Sequence, residues 1–197
     1  QAPTDAATVS RAPSTAARAF RPSAWTEDGL PVSRSAPDMA AAASGARVAA
    51  HPSYPDREGF GRRTLPIAAP ELGRSVEDQC RALRTLAEAR GVVVETVKPH
   101  GALYNRIVRD QAQAEAVVAA VVRLADELGR PIPLLGLGGS VAAAAHAAGV
   151  PFVREAFLDR GYTPEGTLVP RDQPGAVLDS AEHVAARDAA VLQHEFG

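Results

Sequence analysis

The sequence predicts an α/β fold in which parallel strands alternate with helices. Three observations predict it. Short apolar runs, several of them β-branched, recur along the chain and are followed by stretches with apolar residues at three- and four-residue steps. Glycines stand where those helical stretches stop. The links between runs are short, which implies that each strand returns beside the last through its helix, in the same direction.

From about Pro37 the elements follow in order. DMAAAASG (38–45) is a short helix candidate with Gly45 as its stop, and ARVAA (46–50) reads as a buried strand. Pro70 to Arg90 carries Val76, Cys80, Leu83, Leu86 and Ala87 on one helical stripe, and Gly91 ends it. VVVETV (92–97) is a β-branched strand. DQAQAEAVVAAVVRLADELG (110–129) is an amphipathic helix with a Gly stop, and PIPLLGL (131–137) is the next strand. GGSVAAAAHAAG (138–149) is an Ala-rich helix, PFVREAF (151–157) a further strand, and AEHVAARDAAVLQHEF (181–196) a closing helix after a Gly/Pro loop. A closed barrel-like sheet and an open doubly wound sheet both satisfy this pattern.

Residues 1–36 differ from the domain at 37–197. They are dominated by Ala, Arg, Pro, Ser and Thr without apolar periodicity, and are expected to be irregular or disordered. A second reading of that stretch is an out-of-frame translation of a GC-rich gene, which yields such a mixture.

Composition narrows the function. The 197 residues are 46% hydrophobic and 22% charged, with a formal net charge of −2, so a general nucleic-acid or anionic-membrane surface is not expected. The single cysteine, Cys80, permits no disulfide within the chain and no cysteine zinc cluster, and it falls on an apolar helix stripe. Cysteine poverty, no apolar stretch of the ~20 residues that span a bilayer and no visible signal-peptide pattern lead to the expectation of a cytoplasmic protein.

In parallel α/β folds, ligands bind beyond the carboxyl ends of the strands. Four successive strand ends here carry polar chemistry: His51 to Asp56; Lys98, His100, Tyr104 and Asn105; Gly138, Gly139 and Ser140; Glu155, Asp159 and Arg160. Each has a plainer use. His51 can bond a loop carbonyl, Asp56 can cap a loop or pair with an arginine, and Lys98 can snorkel to the rim. Asn105 can cap the following helix, and the glycines can simply make a tight turn. Glu155 can pair with Arg160, or serve as an acid of raised pKa. Lys98 and His100 share one strand end, which favours anion binding and acid–base work there. His146, His183 and His194 read as helical surface or packing residues. No HExxH, GxSxG or Walker pattern occurs, and no histidine spacing marks a metal site.

HPSYPDREGFGRR (51–63), VKPHGALYN (97–105) and REAFLDRGYTPEGTLVPRDQPGAVL (154–178) together resemble the LamB/YcsF family, over roughly residues 38–190. The resemblance implies an incomplete (β/α) barrel of the glycoside hydrolase/deacetylase type. It also implies cleavage of the 5-oxoproline (pyroglutamate) lactam to L-glutamate, coupled to ATP hydrolysis, as the A component of a 5-oxoprolinase that works with subunits B and C. ATP is then a co-substrate that subunits B and C could use, and the resemblance leaves the metal unknown. By the same resemblance His51, Asp56, Lys98, His100, Glu155, Asp159 and Arg160 line the site. The chemistry suggests His100 or His51 as base, Lys98 as stabiliser of the developing anion and Glu155 as proton donor, with Asp56, Tyr104, Asn105, Asp159 and Arg160 binding substrate. The family's opening strand, which reads like DLNCDLGE, and its GFHAGD-like segment are not found in residues 1–50, nor is its C-terminal histidine- and aspartate-containing segment. The chain is therefore expected to be truncated at both ends relative to the family. Two alternatives follow: a catalytically incompetent remnant that at most binds partners, and a metal-dependent carbohydrate deacetylase.

Overall fold

The computed structural model of the chain describes residues 48–178. The helices expected at 38–45 and 181–196, with His183 and His194, lie outside the described residues. Four strands and four helices alternate: β1 (Val48–Ala50), α1 (Ala69–Glu88), β2 (Val94–Val97), α2 (Gly101–Arg106), α3 (Gln111–Leu128), β3 (Leu134–Gly136), α4 (Ser140–Ala147) and β4 (Phe152–Arg154).

The strands pair in parallel in the order β1-β2-β3-β4. Successive neighbours without a reversal are the order of a (β/α) barrel, not of a doubly wound sheet. Among the described residues the sheet is open, with β1 and β4 at its edges.

Each long helix forms where the sequence spacing places it, for local reasons. α1 begins with a proline in its first turn and buries Leu72, Val76 and Cys80. The carboxylate of Asp110 accepts from the Gln113 backbone N–H and so caps α3, and Gly129 closes it in the left-handed conformation. Asn105, read from sequence as the cap of that helix, lies instead inside α2, a short turn of helix that the sequence spacing had not separated from the loop.

The core lies between the sheet and the helices and includes Val76, Val94, Val97, Leu103, Ile107, Val117, Val121 and Leu134. Cys80 belongs to it, and burial pushes its thiol up to about 12, so it is a packing residue without nucleophilic character. His146 stays on the exposed side of α4.

The opposite face of the sheet is less covered. Ala49 and Val153 are exposed there, with Thr96 and Leu135 half-buried. Extended pairing continues past the strands: the Lys98 N–H donates to the Ala50 carbonyl, His100 N–H to Pro52 and Glu155 N–H to Gly136. The two-residue period therefore carries that face upward from Ala49 to His51, from Thr96 to Lys98 and His100, and from Val153 to Glu155. The helix-facing residues between them, Pro52 and Pro99, are buried.

Candidate active site

Periodicity thus puts His51, Lys98, His100 and Glu155 at the carboxyl ends of three strands on one face, and the side-chain contacts join them. Lys98 Nζ lies 2.7 Å from Glu155 Oε1, and the Tyr104 hydroxyl donates to Glu155 Oε2 at 2.9 Å. Glu155 therefore bonds Lys98, not Arg160. Both of its oxygens are acceptors in this cluster, and the hydrogens are carried by Lys98 and Tyr104. The ammonium also sits 5.2 Å from the Phe157 ring centre and 5.9 Å from that of Tyr104, with the two rings edge to face. Burial and the neighbouring Glu155 charge raise the Tyr104 phenol well above its ordinary value, so it remains a donor at any working pH.

Beside this cluster the rings of His51 and His100 stand 4.8 Å apart. His51 Nδ1 lies 2.5 Å from the Lys98 carbonyl. A carbonyl only accepts, so Nδ1 carries the proton, and the neutral ring holds its lone pair on Nε2. Burial, reinforced by His100, lowers the His51 pKa to about 4. His100 is also lowered by burial, partly countered by its bond to the Phe60 carbonyl. Its Nε2 is buried and has no hydrogen-bond partner among the described residues. Both imidazoles are neutral near pH 7, and the Lys98 carbonyl fixes the tautomer of His51.

The loop that carries His51 is fixed from both sides. Gln79 on α1 accepts from the Ser53 N–H at 3.0 Å and donates to the Ser53 carbonyl at 2.9 Å. The buried Tyr54 hydroxyl reaches Gln113 on α3 at 2.5 Å. Gly61 and Gly101 meet where the loop crosses the start of α2. Gly101 has φ 63°, and a Cβ there would stand 2.2 Å from the Gly61 carbonyl oxygen, so this contact requires glycine.

The remaining expected site residues have other positions. Asp56 is buried and bonded through both oxygens to Arg63, with Nε at 3.0 and 3.1 Å, and it also accepts from the Gly59 N–H. The Arg63 guanidinium holds its carboxyl down to about 2. Asp56 thus organises the 56–63 turn. Arg160 is buried and donates to the Ala176 and Val169 carbonyls, clamping the 160–178 loop, while Asp159 is exposed. Asn105 joins α2 to that loop by accepting from the Leu168 N–H at 3.1 Å. Gly139 makes a turn, with the Ser140 N–H donating to the Val108 carbonyl at 2.8 Å. Among the described residues no three His, Cys, Asp or Glu side chains come together as a metal-holding group.

Phe60, Arg63 and Phe157 were not singled out from sequence. An aromatic beside each polar strand end was the visible signal for Phe60 and Phe157. The partner of Asp56 becomes legible only once the turn brings Arg63 back.

Comparison with known proteins gives the chain's relatives. The family model described as the LamB/YcsF family matches residues 14–196. A protein from Streptomyces griseus, named as the A component of 5-oxoprolinase, is 53% identical over 153 residues, covering 77% of this chain and 60% of the relative. One of the same name from Kocuria rhizophila is 53% identical over 148 residues, covering 75% and 57%. The crystal structure of a lactam utilization protein from Thermus thermophilus superposes with a TM-score of 0.65 at 37% identity, covering 76% of this chain and 59% of that one. The chain spans about 60% of the length of the curated relatives it matches. Matched by the family model over residues 14–196, and 53% identical to a relative over 153 residues, the chain belongs to the LamB/YcsF family.

Proposed function

We propose that the chain is the lactam-hydrolysing component of an ATP-dependent 5-oxoprolinase, opening 5-oxoproline to L-glutamate in the cytoplasm together with subunits B and C. The observation that carries the reading is the Lys98–Glu155–Tyr104 cluster standing beside two neutral histidines at one rim of the sheet. The names of the relatives, one a lactam utilization protein and the others components of 5-oxoprolinase, support the substrate class and membership in a multi-subunit complex.

Ring opening of a lactam needs a base for water, a donor for the carbonyl oxygen and a proton for the leaving nitrogen. The histidine pair supplies the base. We assign proton removal to the histidine pair, whose rings stand 4.8 Å apart at the rim. Lys98 retains ammonium hydrogens beyond the one given to Glu155 and donates to the oxygen on which negative charge develops. Glu155 orients Lys98 and, as an acceptor on both oxygens, is not the proton donor. As the C–N bond breaks, the proton taken up by the histidine pair passes to the departing nitrogen. ATP hydrolysis supplies the driving force in this proposed reaction. We place ATP on the partner subunits and route no step here through it.

The test is reconstitution with subunits B and C. Glutamate formed only when 5-oxoproline, ATP and all three subunits are present supports the reading; tight assembly with no turnover would favour a binding remnant instead.

A further inference from the structure

We propose that Arg62 is the residue that recognises a carboxylate on the substrate, making the site selective for acidic lactams over neutral ones. This deepens the lactam-hydrolase reading above and rests on it. The observation is positional. Phe60 and Gly61 both adopt left-handed backbone, with φ 58° and 69°, which for a phenylalanine is rare. The double reversal lays the Phe60 ring edge-on to His100 at 5.7 Å and returns Arg62 above it, its guanidinium carbon 5.5 Å from the Phe60 ring centre. An arginine stacked on an aromatic face is held in place while its donor fork stays available for a planar carboxylate.

Charge matching points the same way. Lys98 is balanced by Glu155, and Arg63 by Asp56 and Glu58. Among the described residues no acidic side chain forms an ion pair with Arg62. Both histidines are held neutral, and the Arg62 charge weighs on His100 more than that of Lys98 does. An anionic substrate entering beside the histidines therefore meets, in Arg62, a positive charge that no acidic side chain among the described residues matches. Its fork is the fitting partner for the acid group, while Lys98 remains for the ring carbonyl.

The test compares 5-oxoproline with 2-pyrrolidinone, the same ring without its carboxylate. Binding is followed by calorimetry and ligand-observed NMR on the chain assembled with its partner subunits, as wild type, Arg62→Ala and Arg62→Lys. Arg62 is exposed, so both variants should fold, which circular dichroism checks. We expect Arg62→Ala to weaken 5-oxoproline binding about ten- to hundredfold. Arg62→Lys should fall between, and 2-pyrrolidinone affinity should stay the same in all three. Equal 5-oxoproline affinity in wild type and Arg62→Ala would overturn the assignment and leave the lactam reading standing. So would parallel losses for both ligands, or a wild type that holds 2-pyrrolidinone as tightly as 5-oxoproline. A wild type that binds neither compound would remove the lactam reading itself, and the role of Arg62 with it.

Discussion

Lys98 at the end of β2 and Glu155 at the end of β4 form a 2.7 Å ion pair across 57 residues of sequence and across the intervening strand β3. The pair joins the ends of β2 and β4, and the His51 contact to the Lys98 carbonyl adds the end of β1 to the same site. Replacing Lys98 with Ala removes the donor for the developing oxyanion and leaves Glu155 with one bond. Turnover in the reconstituted complex should fall by about 10²–10³-fold. Turnover within a few-fold of wild type would take Lys98 out of the chemistry.

Glu155→Gln keeps the size of the side chain and its acceptor oxygen but removes the charge that orients the ammonium. Activity should drop about tenfold or more, with folding stability changed by about 1 kcal/mol because the pair is partly exposed. Tyr104→Phe keeps the ring beside Lys98 and deletes one neutral donor to a carboxylate, so its loss should be smaller, under about tenfold. A Tyr104→Phe enzyme more impaired than Glu155→Gln would reverse these assignments.

His51 titrates near 4 in the fold and near 6.5 when unfolded. Below pH 6.5 the unfolded chain binds the extra proton first, so this histidine's contribution is fully present above that pH and is lost as pH falls towards 4. The loss is on the order of 2–3 kcal/mol. Urea unfolding of wild type and His51→Gln at pH 7.5 and 4.5 checks it. The wild type should lose more stability between the two than the variant, and equal losses would show that His51 is not the group responsible.

Gln79→Ala strips both partners from the buried Ser53 backbone and should destabilise the protein by about 2–3 kcal/mol. Because Ser53 follows His51 by two residues, activity should fall further than stability alone explains. Chemical denaturation together with turnover measured well below the melting temperature separates the two effects.

Gly101→Ala would push a methyl group to within contact of the Gly61 carbonyl in a left-handed backbone, at a cost of roughly 1–3 kcal/mol. Limited proteolysis should then cut in the 51–63 loop, where the wild type resists. An unchanged digestion pattern would mean that this crossing does not hold the loop.

Local patterns made the architecture legible. The apolar stripe through Val76 and Cys80, the β-branched run before Val97 and the glycines at 91, 129 and 149 each act within a few residues, so helix, strand and stop could be read directly. The parallel order followed from short links. What those patterns do not encode is whether a sheet closes, and the choice between barrel-like and doubly wound order required the observed pairing of β1, β2, β3 and β4.

For the site, the sequence by itself determined which chemistry is available at the strand ends, because alternation and strand polarity place His51, Lys98, His100 and Glu155 on one rim. Only the tertiary structure decided the partners. It gave Glu155 to Lys98 and not to Arg160, turned Arg160 and Asn105 into loop clamps, and set Asp56 against Arg63. The reason is range. Side-chain direction follows from neighbouring backbone angles, whereas an ion pair depends on where two distant segments come to lie, which is fixed by packing of the whole core.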